Sequence, residues 1–230
     1  MISSIHKTSL IDYPGKICTT VFLEKCNFRC PFCHNPDLAL SNGTGILSVE
    51  EFLTFIQSRN KLIDGVCITG GEPTLHPDLA HFIKQIKQNK FLVKLDTNGS
   101  NPMILKSLIK QNLLDYIAMD IKASKENYNL SVGTDAPLKK IEESIALIKN
   151  SGMPYEFRTT VVKGHFDENE AKSIGQWLQG AEIFVLQQFD NSNPMIDPKY
   201  RNIIPYTPEQ IRLFAKILEN YFDKVLVKGI

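Results

Sequence analysis

Short runs of β-branched and apolar residues alternate along this chain with longer segments whose apolar positions recur every three or four residues. "KICTTVFLE" (16–24) is a run of the first kind. "SVEEFLTFIQSRN" is of the second, with Phe52, Leu53 and Ile56 on one helical face. Ser48 and Glu51 stand where a capping box would start that helix. The apolar run "GVCIT" (65–69) ends in "GGEP", and "HPDLAHFIKQIKQNK" then carries Leu79, Phe82, Ile83 and Ile86 at helical spacing. "FLVKLDTNG" predicts a strand ended by a turn, "PMILKSLIKQN" a helix, and "LDYIAMDIK" a strand. "LKKIEESIALIKNSG" predicts a helix with glycine beyond its end. "YEFRTTVVKG", "EIFVLQQF" and the short "KVLVKG" follow as strands. Between them stand the helices "DENEAKSIGQWLQG", with Asp167 and Glu170 as a capping box, and "TPEQIRLFAKILENYF", opened by Thr207 and Pro208.

Strands separated by helices imply right-handed βαβ units and a parallel sheet. The count is about six or seven strands, short of the eight of a complete barrel. The expected architecture is therefore α/β, a partial (β/α)6-type TIM barrel with parallel strands. No linker, repeat or low-complexity tract divides residues 1–230, so one domain is expected. Two long loops stand out, "NPDLALSNGTG" and the segment 189–206 within "FDNSNPMIDPKYRNIIPYTP". The polar motifs cluster at the C-terminal ends of strands, where parallel α/β folds bind ligands. They are the cysteines, "GGEP", "DTNG", the aspartate of "MDIK" and "QQFDN".

Composition narrows the function more than the fold. Twenty-six basic and 25 acidic side chains leave a formal charge of +1, so neither nucleic acid nor an anionic membrane is expected as a partner. No run resembles a signal peptide or a membrane span, and the cytoplasm is the expected compartment. Five cysteines, an odd number with three clustered, argue against a disulfide framework and for a metal or catalytic site.

That cluster is "CNFRCPFCHN", with Cys26, Cys30 and Cys33 spaced C-x3-C-x2-C. Asn27, Arg29 and Pro31 break the apolar context that buried packing thiols would need. "CPFCH" has the form of a c-type haem attachment site, but no export signal accompanies it. Structural zinc wants four ligands, and the adjacent Cys33 and His34 rarely both reach one ion. Cys18 and Cys67 lie in apolar strand patterns and read as buried small side chains. A [4Fe–4S] cluster suits three thiolates, which would hold three irons and leave the fourth open.

The C-x3-C-x2-C spacing, aromatic Phe32 before the last cysteine, and "GGEP" after the next strand together resemble the radical S-adenosylmethionine (radical SAM) superfamily. The resemblance implies that Cys26, Cys30 and Cys33 hold a [4Fe–4S] cluster whose open iron chelates S-adenosylmethionine. It places Phe32 near the adenine, and the backbone of Gly70 and Gly71, with Glu72, near the ammonium. Reduction would then cleave the cofactor to a 5′-deoxyadenosyl radical that abstracts hydrogen from a substrate.

"LDTNG" and "MDIK" make the resemblance narrower, toward glycyl-radical-enzyme activases. There it implies a monovalent cation held by Asp96, Thr97, Asp120 and the carbonyl of Ala118, with Asn98, Lys122 and Arg158 as contacts to S-adenosylmethionine. "CHN" and the opening "TSLIDYPGK" also match, except that Tyr13 and Gln188 depart from the glycine and histidine usual at those places. In residues 1–15, a partner-facing segment, Asp12 would meet the partner's glycine loop. His34 is expected beside the cluster rather than on it. The activases of anaerobic ribonucleoside-triphosphate reductases are the nearest match, which implies that reductase as partner and reduced flavodoxin or ferredoxin as electron donor. Two other readings share some of these motifs. One is a radical SAM enzyme acting on a small molecule, such as a 7-carboxy-7-deazaguanine synthase. The other is a non-catalytic metal-binding or electron-transfer module.

Overall fold

A computed structural model describes residues 1–41 and 45–230. Its strands are β1 (Ile2–Ser9), β2 (Cys18–Leu23), β3 (Gly65–Gly70), β4 (Leu92–Thr97), β5 (Tyr116–Asp120), β6 (Tyr155–Val161), β7 (Ile183–Gln188) and β8 (Lys224–Lys228). The helices are α1 (Pro36–Leu40), α2 (Val49–Gln57), α3 (Leu79–Gln88), α4 (Pro102–Lys110), α5 (Tyr128–Val132), α6 (Leu138–Lys149), α7 (Glu168–Leu178) and α8 (Pro208–Leu218). In the sheet the strands follow chain order, β1 to β8, as consecutive βα units require. β2 to β4 pair in parallel, as do β6 to β8, which agrees with the expected partial barrel.

Two expectations change. Residues 2–9 form an eighth strand, antiparallel to β2, with bulges on either side of its central register. Its sequence "ISSIHKTS" is too polar to announce a strand; pairing along β2 supplies the reason. The stretch after the cysteines is also less of a loop than expected. Pro36–Leu40 is a helix, with Leu38 and Ala39 buried; residues 42–44 of "NPDLALSNGTG" lie outside the described residues. The segment 189–206 contains a short 3-10 helix, Pro198–Asn202. No described helix is long and apolar enough to cross a membrane.

The backbone groups into two compact units. The first comprises Met1–Asn27, Asp37–Ala118 and Lys139–Pro154. Its core forms where the helical pattern said it would: Phe52 and Ile56 of α2, and Leu79, Phe82, Ile83 and Ile86 of α3, are buried. The Phe52 and Phe82 rings lie 5.5 Å apart. Burying each such side chain contributes about 1.5–3 kcal/mol. The Ser48/Glu51 capping box is formed in both directions, which fixes the start of α2.

The second unit comprises Phe28–Pro36, Met119–Leu138 and Tyr155–Ile230. Phe184 of β7 stacks on Phe222 at 4.7 Å. α8 starts at Thr207 with a full capping box to Gln210. The box expected at α7 is only half made. Asp167 caps the backbone N–H of Glu170, but the Glu170 carboxylate turns away to the Ser124 backbone N–H and hydroxyl and to Asn127. A buried carboxylate takes the donors within its reach, and these lie beyond β5 rather than at its own helix end.

Between β3 and β2 the chain comes closest to itself. Gly71 N–H donates to Leu23 O at 2.8 Å and Glu72 N–H to Lys25 O at 2.7 Å, which extends the β2–β3 ladder past both strands. A Cβ on Gly71 would lie 2.0 Å from Lys25 O, and one on Gly70, whose φ is +126°, 2.1 Å from Leu23 O. Glycine is therefore demanded here by the protein's own backbone. Gly71→Ala should cost more than about 2 kcal/mol in urea denaturation, because backbone must shift. Gly152→Ala, at φ +71° with nothing within 4 Å of its Cβ, should cost only about 1 kcal/mol. Equal losses would show that the β2–β3 closure is not sterically limiting.

Candidate functional site

The cysteine loop leaves β2 at a sharp bend. Lys25 adopts a left-handed conformation with φ +69°, held by its N–H to Leu38 O at 2.8 Å and its carbonyl to Glu72. Cys26 follows at once. The amide of Asn98 lies 4.0 Å from the Cys26 sulfur and donates to Asn27 Oδ1 at 2.9 Å. Asn98 is thus brought beside the first cysteine.

Glu72 ties this arrangement together. Its side chain has no solvent exposure. Oε1 accepts from the Thr74 N–H at 3.0 Å, the Thr74 hydroxyl at 2.6 Å and the Thr97 hydroxyl at 2.8 Å; Oε2 accepts from the Asn98 N–H at 2.6 Å. Burial pushes its pKa up, against the pull of those four donors. The "GGEP" and "DTNG" motifs are therefore one hydrogen-bonded unit. The Glu72 carboxylate is occupied by these protein donors.

Cys30 and Cys33 sit on the second unit's part of the loop, where the Cys33 N–H donates to Cys30 O at 3.0 Å. This turn is pinned on two sides. Arg29 N–H donates to Val132 O at the end of α5, and Asp197 N–H donates to Pro31 O at 3.0 Å. Phe32 is buried, edge-on to His165 at 5.1 Å and 6.1 Å from Tyr200. His165 is itself clamped, Nδ1 to Ser131 Oγ at 3.0 Å and Nε2 to Tyr200 OH at 2.6 Å. His34 packs on Phe189, and burial lowers its pKa; its Nε2 is buried with no partner.

Asp120, at the end of β5, is held between Lys122 at 2.8 Å and Arg158. Burial would raise its pKa, but the two cations outweigh burial and hold the carboxyl well below its usual range. Lys122 is raised in turn, chiefly by Asp120 and then by Cys30, against the effect of burial. Asp96 is paired with Lys94, and Thr97 is committed to Glu72 and to the Gly99 N–H. Ala118 is buried within β5. Asp96 and Thr97 thus have protein partners within the first unit, and Asp120 within the second.

Other expectations resolve by placement. Cys18 and Cys67 are buried with Tyr13 and Tyr116, and burial raises both thiols. Asp12 turns inward and accepts from the Thr20 hydroxyl at 2.6 Å, while Leu10 and Ile11 beside it are exposed. Gln188 donates to Tyr206 O at 2.6 Å, which anchors the segment that returns from β7. Sequence reasoning missed Lys94, Ser131, His165 and Tyr200. Only Lys94 had a visible signal, a charge in the middle of the apolar run "FLVKL".

The donor set fits an iron–sulfur cluster. None of the five cysteines is in a disulfide, and three lie on one short loop. Among the described residues no three metal-ligating side chains are already gathered around one point. The family model described as the radical SAM superfamily matches residues 20–174. The chain belongs to the radical SAM superfamily. A relative in Methanocaldococcus jannaschii, named as a glycyl-radical enzyme activating enzyme, is 32% identical over 100% of this chain and 96% of its own length. The pyruvate formate-lyase-activating enzyme of Clostridium pasteurianum is 29% identical over 74% of this chain and 71% of its own. A radical SAM methyltransferase from Sphaerobacter thermophilus shares the fold, with a TM-score of 0.75 at 16% identity, over 94% of this chain and 67% of that one. This radical SAM protein is accordingly an enzyme, and its family's cofactors are a [4Fe–4S] cluster and S-adenosylmethionine.

Two measurements check this geometry. Glu72→Ala leaves the Thr97 and Thr74 hydroxyls and the Asn98 N–H without their acceptor, and should cost about 3 kcal/mol or more in urea denaturation. A loss under 1 kcal/mol, roughly that of a surface change, would contradict the shared bracket. His76 and His165 both have pKa values lowered by burial. Below the ordinary histidine value of about 6.5 the unfolded chain takes up protons that the folded one refuses, so stability falls as pH drops through that point. The melting temperature should be lower at pH 5.5 than at pH 7.5, with a smaller difference in His165→Gln; an unchanged or higher value at pH 5.5 would contradict it.

Proposed function

We propose that this radical SAM enzyme is a glycyl-radical-enzyme activase whose target is an anaerobic ribonucleoside-triphosphate reductase. The observation that carries the site is the contact of Asn98 with both Cys26 and Asn27 while its backbone is held by Glu72. One turn thereby joins the first cysteine to the two downstream motifs. Full-length similarity to a protein named as such an activase supports the reaction type.

In this reading Cys26, Cys30 and Cys33 hold the cluster, and three thiolates leave one iron for the amino and carboxylate groups of S-adenosylmethionine. When bound, the two cofactors supply the electron and the bond cleavage that lead to hydrogen abstraction from a partner glycine. The chain supplies position. Phe32, braced by His165 and Tyr200, is the residue that the resemblance assigns to the adenine. By the family resemblance, the contacts to the methionine end are the Gly70 and Gly71 backbone and Asn98 of the first unit, and Lys122 and Arg158 of the second. Lys122 and Arg158 carry the charge needed for a carboxylate, and Asp120 orients both. Reduced flavodoxin or ferredoxin in the cytoplasm is the electron donor.

After anaerobic reconstitution the protein should hold about four irons per chain, the content of one [4Fe–4S] cluster. With reductant and S-adenosylmethionine it should release 5′-deoxyadenosine, and a glycyl radical signal should appear by electron paramagnetic resonance only when the reductase is added. Cys30→Ala should lose the iron, while Cys67→Ser, in the core, should keep it. No 5′-deoxyadenosine under strict anaerobiosis would overturn the radical SAM assignment of the site. Its release without any glycyl signal on the reductase would overturn the choice of partner.

A further inference from the structure

β4 carries a lysine where the strand is otherwise apolar. The Lys94 side chain is 1% exposed, ion-paired with Asp96, and its Nζ lies 3.7 Å from Cys67 Sγ. The parallel register sets Thr20 opposite Cys67 and Cys67 opposite Lys94, so three side chains form one row across β2, β3 and β4. Asp96, two residues on and so on the same face, carries the row toward the C-terminal end of β4. At the other end Thr20 donates to Asp12. Cys67 also packs in a buried cluster with Cys18, Tyr13 and Tyr116, where burial raises the pKa of Tyr13 and of both thiols.

A buried ion pair is poor evidence of a stabilising device, since apolar side chains of similar volume often do as well or better. Lys94 is better explained by a need for a fixed positive charge at that place. The carboxylate it meets is the one for which the family resemblance supplies a monovalent cation. The residues present do not suit such an ion. Asp96 faces an ammonium, the Thr97 hydroxyl serves Glu72 and the Gly99 N–H, and Asp120 lies between a guanidinium and an ammonium. A further cation would be added next to charges of its own sign.

We propose that Lys94 takes the place of the monovalent cation, so that the S-adenosylmethionine site of this protein is charge-balanced by its own side chains. This rests on the radical SAM reading of the site but not on the identity of the partner. An ammonium is a compact point charge of the same valence as potassium, and its four-carbon stem delivers it to Asp96 without a dissociable ion. The enzyme's affinity for its cofactor is then independent of the monovalent salt around it.

The test measures S-adenosylmethionine binding to the cluster-loaded protein by equilibrium dialysis, at constant ionic strength, in choline, sodium or potassium chloride. The wild-type affinity should agree in the three salts to within about twofold, well under the tenfold that one charged contact is worth. Lys94→Met should bind about tenfold or more weakly in choline, and potassium or sodium should restore much of the loss. Thallium-205 resonance, with thallous ion as the potassium probe, should show no saturable site in the wild type. Tighter wild-type binding in potassium or sodium than in choline, by more than about threefold, would overturn the proposal, as would a saturable thallous site. So would a Lys94→Met protein that binds normally in choline, or one whose loss potassium leaves unrepaired. Should that variant fail to fold, the two wild-type measurements decide alone. No reductase enters the experiment, so a wrong partner assignment leaves its outcome unchanged.

Discussion

A carboxylate without solvent around it sets the order of this molecule's motifs. Glu72 is fully buried, and a buried carboxylate is tolerated only where donors converge on it. The donors come from its own turn, through Thr74, and from the end of β4, through Thr97 and Asn98. That requirement draws the "DTNG" turn against "GGEP". Asn98, once placed, reaches Cys26. The geometry of the first cysteine therefore depends on a bond two strands away, and the two glycines before Glu72 let the backbone close far enough to make it.

Within each unit, charge is managed by pairing. Asp96 has Lys94, and Asp120 has Lys122 and Arg158. Each is matched here by a cation on the same or the next strand, which keeps the carboxylates ionised and the cations aimed. Lys122 and Arg158 share the Asp120 carboxylate, one on each oxygen.

The segment 189–206, which sequence alone left as a loop, is a brace. Asp197 holds the Pro31 carbonyl, and Tyr200 holds His165 against Phe32. Asn191 and Gln188 tie its two ends to the backbone at Ile203 and Tyr206. Loops that carry function are positioned by such tethers rather than by their own propensities. The mobility usual for a segment of this length is curtailed where it touches the cysteine turn.

What could be read directly from the residues was whatever depends on neighbours in sequence. The helices of 49–57 and 79–88 announce themselves by spacing, the cap of the first by Ser48 and Glu51, and the candidate cluster cysteines by C-x3-C-x2-C. Chemistry and period are local properties, and they specify the α/β order, the cluster and the family. Partner choice is not local. That Asp96 meets Lys94, that Glu170 turns to Ser124 rather than completing its own cap, and that Asp12 accepts from Thr20 all depend on which donor the fold brings nearest. Polar side chains bond to whatever lies within about 3 Å, and only tertiary structure decides what that is.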